Sequence, residues 1–176
     1  MTSIQVVPYD PHWPHLFESA SAEVATAMAD CLVAIHHIGS TSIPGMSAKR
    51  VIDILAVVRE ITAVDSRAPA MEAIGYEAMG EFGIPGRRYF RRDGAAGRRT
   101  HQVHAFAVDS PHVERHLAFR DFLRVHPKFA RQYAELKLAL AAAHPHDMNA
   151  YMDGKDGFIK DVEARAVEWS RRKITE

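Results

Sequence analysis

An α/β (α+β) protein with a mixed β-sheet is predicted by three observations. Strand-like apolar runs and helical patterns alternate through residues 1–108. A Gly-rich hairpin signal, Asp93-Gly94-Ala95-Ala96-Gly97, sits beside strands that are separated by helical stretches, so antiparallel and crossover connections feed one sheet. Beyond Asp109 the pattern turns helical almost to the end, which predicts flanking helices and a helical C-terminal extension. With no internal repeat or Pro/Ser-rich linker, the 176 residues read as a single domain over 1–176, with an α/β core at 1–108 and a helical elaboration at 109–176.

The elements follow in order. Residues 3–8 form an extended lead-in. Asp10 caps a helix with Pro11 at its first position, and Trp13, Phe17, Ala20, Val24, Ala27 and Cys31 mark its buried face. Strands are expected at 32–38 and 51–58. Thr62 to Ile74 reads as a helix stopped by Gly75, and Tyr76 to Met79 as a short strand. Gly83 to Phe90 is a turn feeding a strand, and Thr100 to Val108 is the returning strand of the hairpin. Helices at Pro111–Val125 and Pro127–Ala143 are split by His126-Pro127. Asp147 then caps a third short helix, and Gly157 to Arg172 closes the chain.

Composition excludes several classes. Apolar residues make up 47% and charged residues 25%, a globular balance. Twenty-two basic and twenty-two acidic side chains cancel, so no overall field recruits nucleic acid or an acidic membrane. The lone Cys31 reads as a small buried hydrophobe. With neither a signal-peptide pattern nor a run of roughly 18 apolar residues, a cytoplasmic protein without a membrane partner is expected.

The chemistry concentrates in His37-Ile38-Gly39-Ser40-Thr41-Ser42, followed by Lys49 and the run Val51-Ile52-Asp53-Ile54-Leu55. Glycine lets the backbone approach an oxyanion closely, and the hydroxyls of Ser40, Thr41 and Ser42 add donors. Asp53 lies among Val, Ile and Leu, so its carboxylate needs a hydrogen bond, a cation or a metal. The turn lacks the lysine and glycine spacing of a P-loop. A Gly-Ser turn followed by an acid on the next strand instead resembles the nucleotidyltransferase superfamily that includes polymerase-beta-like enzymes. In that superfamily such a turn holds a triphosphate and strand carboxylates hold two divalent cations. Leu55 departs from the pattern, because it occupies the place of the usual second acid and cannot ligate a metal.

The strand Thr100-His101-Gln102-Val103-His104 offers imidazoles instead of a third carboxylate. Alternation puts His104 and Gln102 on one face and His101 on the other. A divalent metal (Mg, Mn or Zn) on Asp53 and His104, with His37 nearby, is one reading; histidines that merely hydrogen-bond and orient a polar pocket is the other. Arg87 and Arg88 begin a hairpin with six arginines in thirteen residues, able to clamp phosphate or simply to be solvated. With aromatic interleaving limited to Tyr89 and Phe90, nucleic-acid binding is not favoured. Tyr151 and Lys155 lie four apart and share a helical face if that segment is helical despite Gly154; Lys155 then either reaches a phosphate across the cleft or, the commoner case, is a surface lysine.

Ordered motifs then identify a family resemblance. They are Val7-Pro8-Tyr9-Asp10-Pro11-x-Trp13-Pro14, His37 to Gly45, Lys49-x-x-Ile52-Asp53-Ile54, Gly75-Tyr76 and Ile84-Pro85-Gly86-Arg87-Arg88-Tyr89-Phe90. Further along come Arg99-Thr100-His101-x-Val103-His104, His116 to Pro127, and Tyr151-x-x-x-Lys155-x-x-Phe158-Ile159. Over nearly its whole length the chain resembles the GrpB family of small bacterial proteins. The resemblance implies a nucleotidyltransferase-like core, a generally missing second acid, and a partner enzyme of cofactor metabolism, because some members are fused to dephospho-coenzyme A kinase.

The expected function is therefore a cleft for a nucleotide or other phosphorylated small molecule. Gly39, Ser40, Thr41, Ser42, Lys49, Arg87, Arg88 and Lys155 are expected to hold phosphate. Asp53 is the expected catalytic or metal-binding acid with His104, and His37 and His101 are secondary pocket groups. Metal-dependent nucleotidyl transfer, a catalytically silent nucleotide-sensing or partner-docking module, and a His-dependent metal phosphoesterase remain three separate outcomes.

Overall fold

A computed structural model describes residues 3–175. The strands are β1 (Leu32–Ile38), β2 (Ile52–Val58), β3 (Glu77–Ala78), β4 (Arg88–Asp93) and β5 (Arg99–Ala107). The helices are α1 (Trp13–Met28), α2 (Ala68–Ala73), α3 (Pro111–Val125), α4 (Pro127–Ala143) and α5 (Met148–Thr175). The five strands form one sheet in the order β1-β2-β5-β4-β3. Only β2 and β5 run parallel; the other pairs are antiparallel, which makes the sheet mixed as expected.

Alternation along β2 assigns its two faces. Ile52, Ile54, Ala56 and Val58 pack with Val103, Ala105 and Phe90 against Trp13, Val24 and Met28 of α1 and Met71 of α2. Leu55 and Val57 point the other way, joining Ile38, Phe106, Val113 and Leu117 beneath α3. A third apolar cluster ties α3, α4 and α5 together through Phe122, Leu123, Tyr133 and Val162, and it reaches Ile43 and Met46 in the loop between β1 and β2. The helical extension is thus anchored directly beside the Gly39-Ser40 turn. Each fully buried aliphatic side chain in these layers contributes about 1.5–3 kcal/mol.

Three elements differ from the sequence reading. The expected helix at 62–74 is a 3-10 stretch, Ile61–Arg67, followed by the short α2. Pro69 explains this, since its ring and missing N–H are incompatible with a continuous α-helix through residue 65. Helix α1 begins at Trp13, because Asp10 closes the preceding turn by accepting from the His12 backbone N–H at 2.9 Å. The two C-terminal helices are one 28-residue helix, α5. Gly154 does not break it: a Cβ there would collide with Leu140, so the glycine lets α4 and α5 approach closely. Elsewhere the local signals act as expected. Ser110 caps α3 by accepting from His112, and His126, standing before Pro127, is held out of the helical region at φ −120° and ψ 78°.

Candidate functional site

The site is built where β1 ends and β2 begins. Ile38 lies opposite Asp53 in the antiparallel register, so the chain leaves β1 at Gly39 directly beside the Asp53 carboxylate. Gly39 has φ +72°, and a Cβ at this position would lie 2.6 Å from Asp53 Oδ2. No other residue type fits both conditions. The turn that follows is a single 3-10 loop, Ser40–Ser42, in which the Ser42 N–H donates to the Gly39 carbonyl at 3.1 Å.

The hydroxyls of this turn face different ways. Thr41 is buried, its Oγ1 lying 2.9 Å from His37 Nε2 and 3.4 Å from the Val51 carbonyl. Ser42 is buried and donates to Gly39 O at 2.5 Å. Both brace the loop from inside, which leaves Ser40 as the hydroxyl of the three not used in that bracing. Two arginines of α3 fix the loop from outside. Arg124 donates twice to the Ser42 carbonyl, at 3.0 and 2.8 Å, and Arg120 donates to the His37 carbonyl at 3.2 Å.

Parity along the sheet sorts the histidines. Asp53 aligns with Gln102 and Leu55 with His104, so Asp53, Leu55, Gln102 and His104 share one face. His104 Nε2 lies 3.3 Å from Asp53 Oδ1, and its Nδ1 lies 3.3 Å from Arg87 Nη1. A guanidinium can only donate, so Nδ1 accepts and the proton sits on Nε2, donated to Asp53. The two groups nominated as metal ligands therefore face each other rather than converging on a common point. His37 and His101 lie on the opposite face. His37 stacks on Phe17 of α1 at 4.7 Å, and His101 packs against Arg92 and Tyr76. Burial holds each imidazole neutral, its pKa lowered to about 4. Neither is a pocket group on the Asp53 face.

The paired arginines divide in the same way. Arg87 is 7% exposed and donates to the carbonyls of Glu81 and Phe82, with its guanidinium 4.8 Å from the Tyr89 ring centroid. Arg88 points away and pairs with Asp65 through contacts of 2.6 and 3.1 Å. Arg88 is thus removed from the site by strand alternation and by its own salt bridge.

Across the turn, α4 and α5 supply a group the sequence reading missed. Lys137 is 2% exposed, donates to the Ser47 carbonyl at 2.6 Å, and lies over the Tyr133 ring at 4.6 Å. Lys155 is 7% exposed and sits over the Tyr151 ring at 4.5 Å; Lys49 lies over the same ring at 5.3 Å. Burial lowers all three ammonium groups, Lys137 to about 7 and Lys155 to about 8. Mutual repulsion among the three adds to this for Lys137 and Lys155, while Asp53 pulls Lys49 and Lys155 back up. Among the described residues none of the three has a carboxylate within 4 Å, unlike exposed Lys160, which pairs with Asp156 at 2.6 Å. Among the described residues the buried Tyr151 hydroxyl has no hydrogen-bond partner. The signal for Lys137 was present: Tyr133, Lys137 and Ala141 recur every fourth residue and form the buried stripe of α4.

The donors do not fit a two-cation centre. Leu55 is fully buried, and no three His, Cys, Asp or Glu side chains converge among the described residues. A concavity of about 430 Å³ bounded by Ile43, Pro44, Met46, Leu123 and Arg124 lies past the same turn and shares none of the lysines.

This sheet, with its Gly-Ser turn and strand acid, has a nucleotidyltransferase-like fold. Cid1 in complex with its short product ApU superimposes with a TM-score of 0.52 over 74% of this chain and 42% of that one, at 9% identity. The chain belongs to the GrpB family, whose model, described as GrpB protein, matches residues 3–165. The crystal structure of conserved protein GrpB from Enterococcus faecalis is 43% identical, with a TM-score of 0.90 over 94% of this chain and 99% of that one. UPF0157 protein YqkA of Bacillus subtilis (strain 168) is 45% identical over 96% of this chain, which spans about half (48%) of that relative's length. A dephospho-CoA kinase of Mycolicibacterium paratuberculosis is 27% identical over 95% of this chain and 47% of its own. No helix among the described residues is long and apolar enough to cross a membrane.

Proposed function

We propose that the cleft between the Gly39-Ser40 turn and helices α4 and α5 binds a nucleotide or another phosphorylated small molecule. One observation carries this reading. Three ammonium groups, two of them buried and none with a carboxylate partner among the described residues, gather over the Tyr133 and Tyr151 rings beside the β1–β2 loop. Burying a cation without a counter-anion is costly, so an anionic ligand supplies the missing partner. Ser40, Lys49 and Lys155 hold phosphate in this arrangement, and Arg87 acts through His104 to orient Asp53. The dephospho-CoA kinase relative supports coenzyme A precursors as ligand candidates, and an enzyme of cofactor metabolism as the partner.

A catalytically silent binding module is the second reading, and Leu55 favours it. In the place of a second metal-binding acid stands a fully buried leucine within the apolar layer of Ile38, Val57 and Phe106. A metal phosphoesterase has less support, because Asp53 and His104 are bonded to each other and no third ligand joins them.

Thermal unfolding with ATP, UTP, dephospho-coenzyme A and coenzyme A, each with magnesium and with EDTA, tests the proposal. A ligand at 100 times its Kd stabilises the fold by about 2.7 kcal/mol. Stabilisation that is weakened in Ser40→Ala and Lys155→Met is expected. No stabilisation by any of the four in either buffer overturns it. A bound ligand left chemically unchanged over hours places the protein with the silent modules.

A further inference from the structure

We propose that Lys49, Lys137 and Lys155 form a subsite that holds a di- or triphosphate group without any divalent cation, with Lys137 as its buried floor. The inference rests on the phosphate-cleft reading above and adds the ligand's anionic class, its independence of metal, and a residue that the motifs did not nominate.

Convergence is the first support. The three lysines come from three separate segments: the β1–β2 loop, α4 and α5. Lys49 and Lys155 lie over one aromatic ring, that of Tyr151. Lys137 is held by the Ser47 carbonyl, two residues before Lys49, and lies over Tyr133, which packs in one cluster with Ile43 and Met46 of the same loop. The cluster is therefore continuous with the Gly39-Ser40 turn. A solvated face does not explain it, because Lys137 and Lys155 are almost wholly enclosed while a lysine is ordinarily exposed.

Charge is the second support. Asp53 is the one carboxylate that acts on Lys49 and Lys155, and none pairs with Lys137 among the described residues, which leaves a net positive field in a partly dry site. A divalent cation beside Asp53 meets repulsion from Lys49 and Lys155, both close enough for Asp53 to act on their titration. A di- or triphosphate meets three ammonium donors, of which Lys137 has already given one N–H to the Ser47 carbonyl. Where the fold class uses cations to neutralise phosphate charge, this chain presents fixed ammonium groups. The missing acid at Leu55 and the lysine cluster are then two sides of one arrangement. Tyr151 adds a third observation, since its buried hydroxyl has no partner among the described residues. A ligand oxygen would satisfy it.

Isothermal titration calorimetry of inorganic pyrophosphate and ATP into the whole chain tests the inference, in EDTA and in magnesium. Binding of either in EDTA is expected, with affinity within about threefold of that in magnesium. In Lys137→Met, affinity for the same probe is expected to fall at least tenfold, a loss of about 1.4 kcal/mol. Lys160→Met, which alters an exposed lysine, is expected to leave it unchanged. Circular dichroism and Tm confirm that Lys137→Met is folded, and Lys155→Met supplies a second variant if it is not. Binding that needs magnesium overturns the inference but leaves the phosphate cleft standing. Undiminished binding in both folded lysine variants also overturns it. No binding of either probe in either buffer, together with a blank nucleotide and coenzyme A panel, overturns both.

Discussion

Gly39 and Asp53 are locked together: the glycine's backbone passes so close to the aspartate that a single methyl group would lie 2.6 Å from Oδ2. Gly39 also sits at φ +72°, where side chains are strained. Gly39→Ala is therefore expected to destabilise by roughly 1–3 kcal/mol through the combined backbone and steric cost. Part of that cost is a clash with one identified side chain. In an Asp53→Ala background the same substitution is expected to cost at least about 0.5 kcal/mol less, a coupling that urea unfolding of the double-mutant cycle measures. Additive behaviour would mean that the close approach is relaxed in solution.

Lys137 is expected to lower stability in the absence of ligand. Its neighbours are Tyr133 on its own helix, Lys155 on α5, Lys49 in the loop, and beyond them Asp53. Its folded pKa, about 7, lies below its unfolded value of 10.5. Between these values the unfolded chain binds more protons than the native one, so the Lys137 contribution makes stability rise with pH across that window. Lys137→Met is isosteric and apolar. At pH 7 it is expected to raise Tm by at least about 2 °C, the shift that about 1 kcal/mol produces in a chain of this size. The advantage is expected to shrink as pH approaches 10, where both side chains are neutral in the folded state. The lost bond to the Ser47 carbonyl opposes this gain, and a Tm that falls at pH 7 would show that the bond outweighs the buried charge.

The sequence made the local parts of this site legible and hid the parts set by register. Gly39, Ser40 and Asp53 announce themselves, because a glycine-hydroxyl turn between apolar strands and an acid inside one of them need no partner to be noticed. The faces of His37, His101 and Arg88 depend on how neighbouring strands align, and Asp53 opposite Gln102 is a pairing that no single segment encodes. One slip in that alignment would have exchanged His101 and His104. Lys137 was hidden for a different reason: a charged residue on an apolar stripe reads as an interruption until its burial between helices is known. Gly154 misled in the opposite sense, since a glycine that admits Leu140 looks in sequence like a helix break.

Arg87 and Arg88, adjacent in sequence, are expected to behave oppositely on truncation. Arg88 and Asp65 form a surface pair with Asp65 largely exposed, and such pairs contribute about 0–1 kcal/mol. Arg88→Ala is expected to change stability by less than about 1 kcal/mol and to leave ligand binding unaltered. Arg87 is buried, and its loss leaves the Phe82 and Glu81 carbonyls and His104 Nδ1 without their donor. Arg87→Ala is expected to cost roughly 2–4 kcal/mol, since orphaned buried acceptors carry penalties of about 1–3 kcal/mol each, partly relieved by water. Chemical denaturation of the two variants, with proton NMR of the His104 ring, separates them. His104 loses its fixed tautomer in Arg87→Ala and keeps it in Arg88→Ala.

Leu55 decides whether this site is one substitution away from a two-metal centre. From sequence alone, Leu55→Asp restores the missing acid, because residues 53 and 55 share a strand face. The fold makes that restoration expensive. Leu55 is fully buried among Ile38, Val57 and Phe106, with Val113 and Leu117 of α3 above it, and the imidazole beside it, that of His104, is already bonded to Asp53. Burying an unpaired carboxylate and removing the leucine together are expected to cost at least about 3–5 kcal/mol. In a chain of this size that lowers Tm by roughly 6–20 °C, and the loss should deepen as pH rises and the new acid ionises. Differential scanning calorimetry of Leu55→Asp between pH 5 and 8, with and without magnesium, is the check. If magnesium restored the lost stability, the apolar layer would be able to open around a cation, and Leu55 would mark a dormant metal site. A loss indifferent to magnesium assigns Leu55 to the core alone.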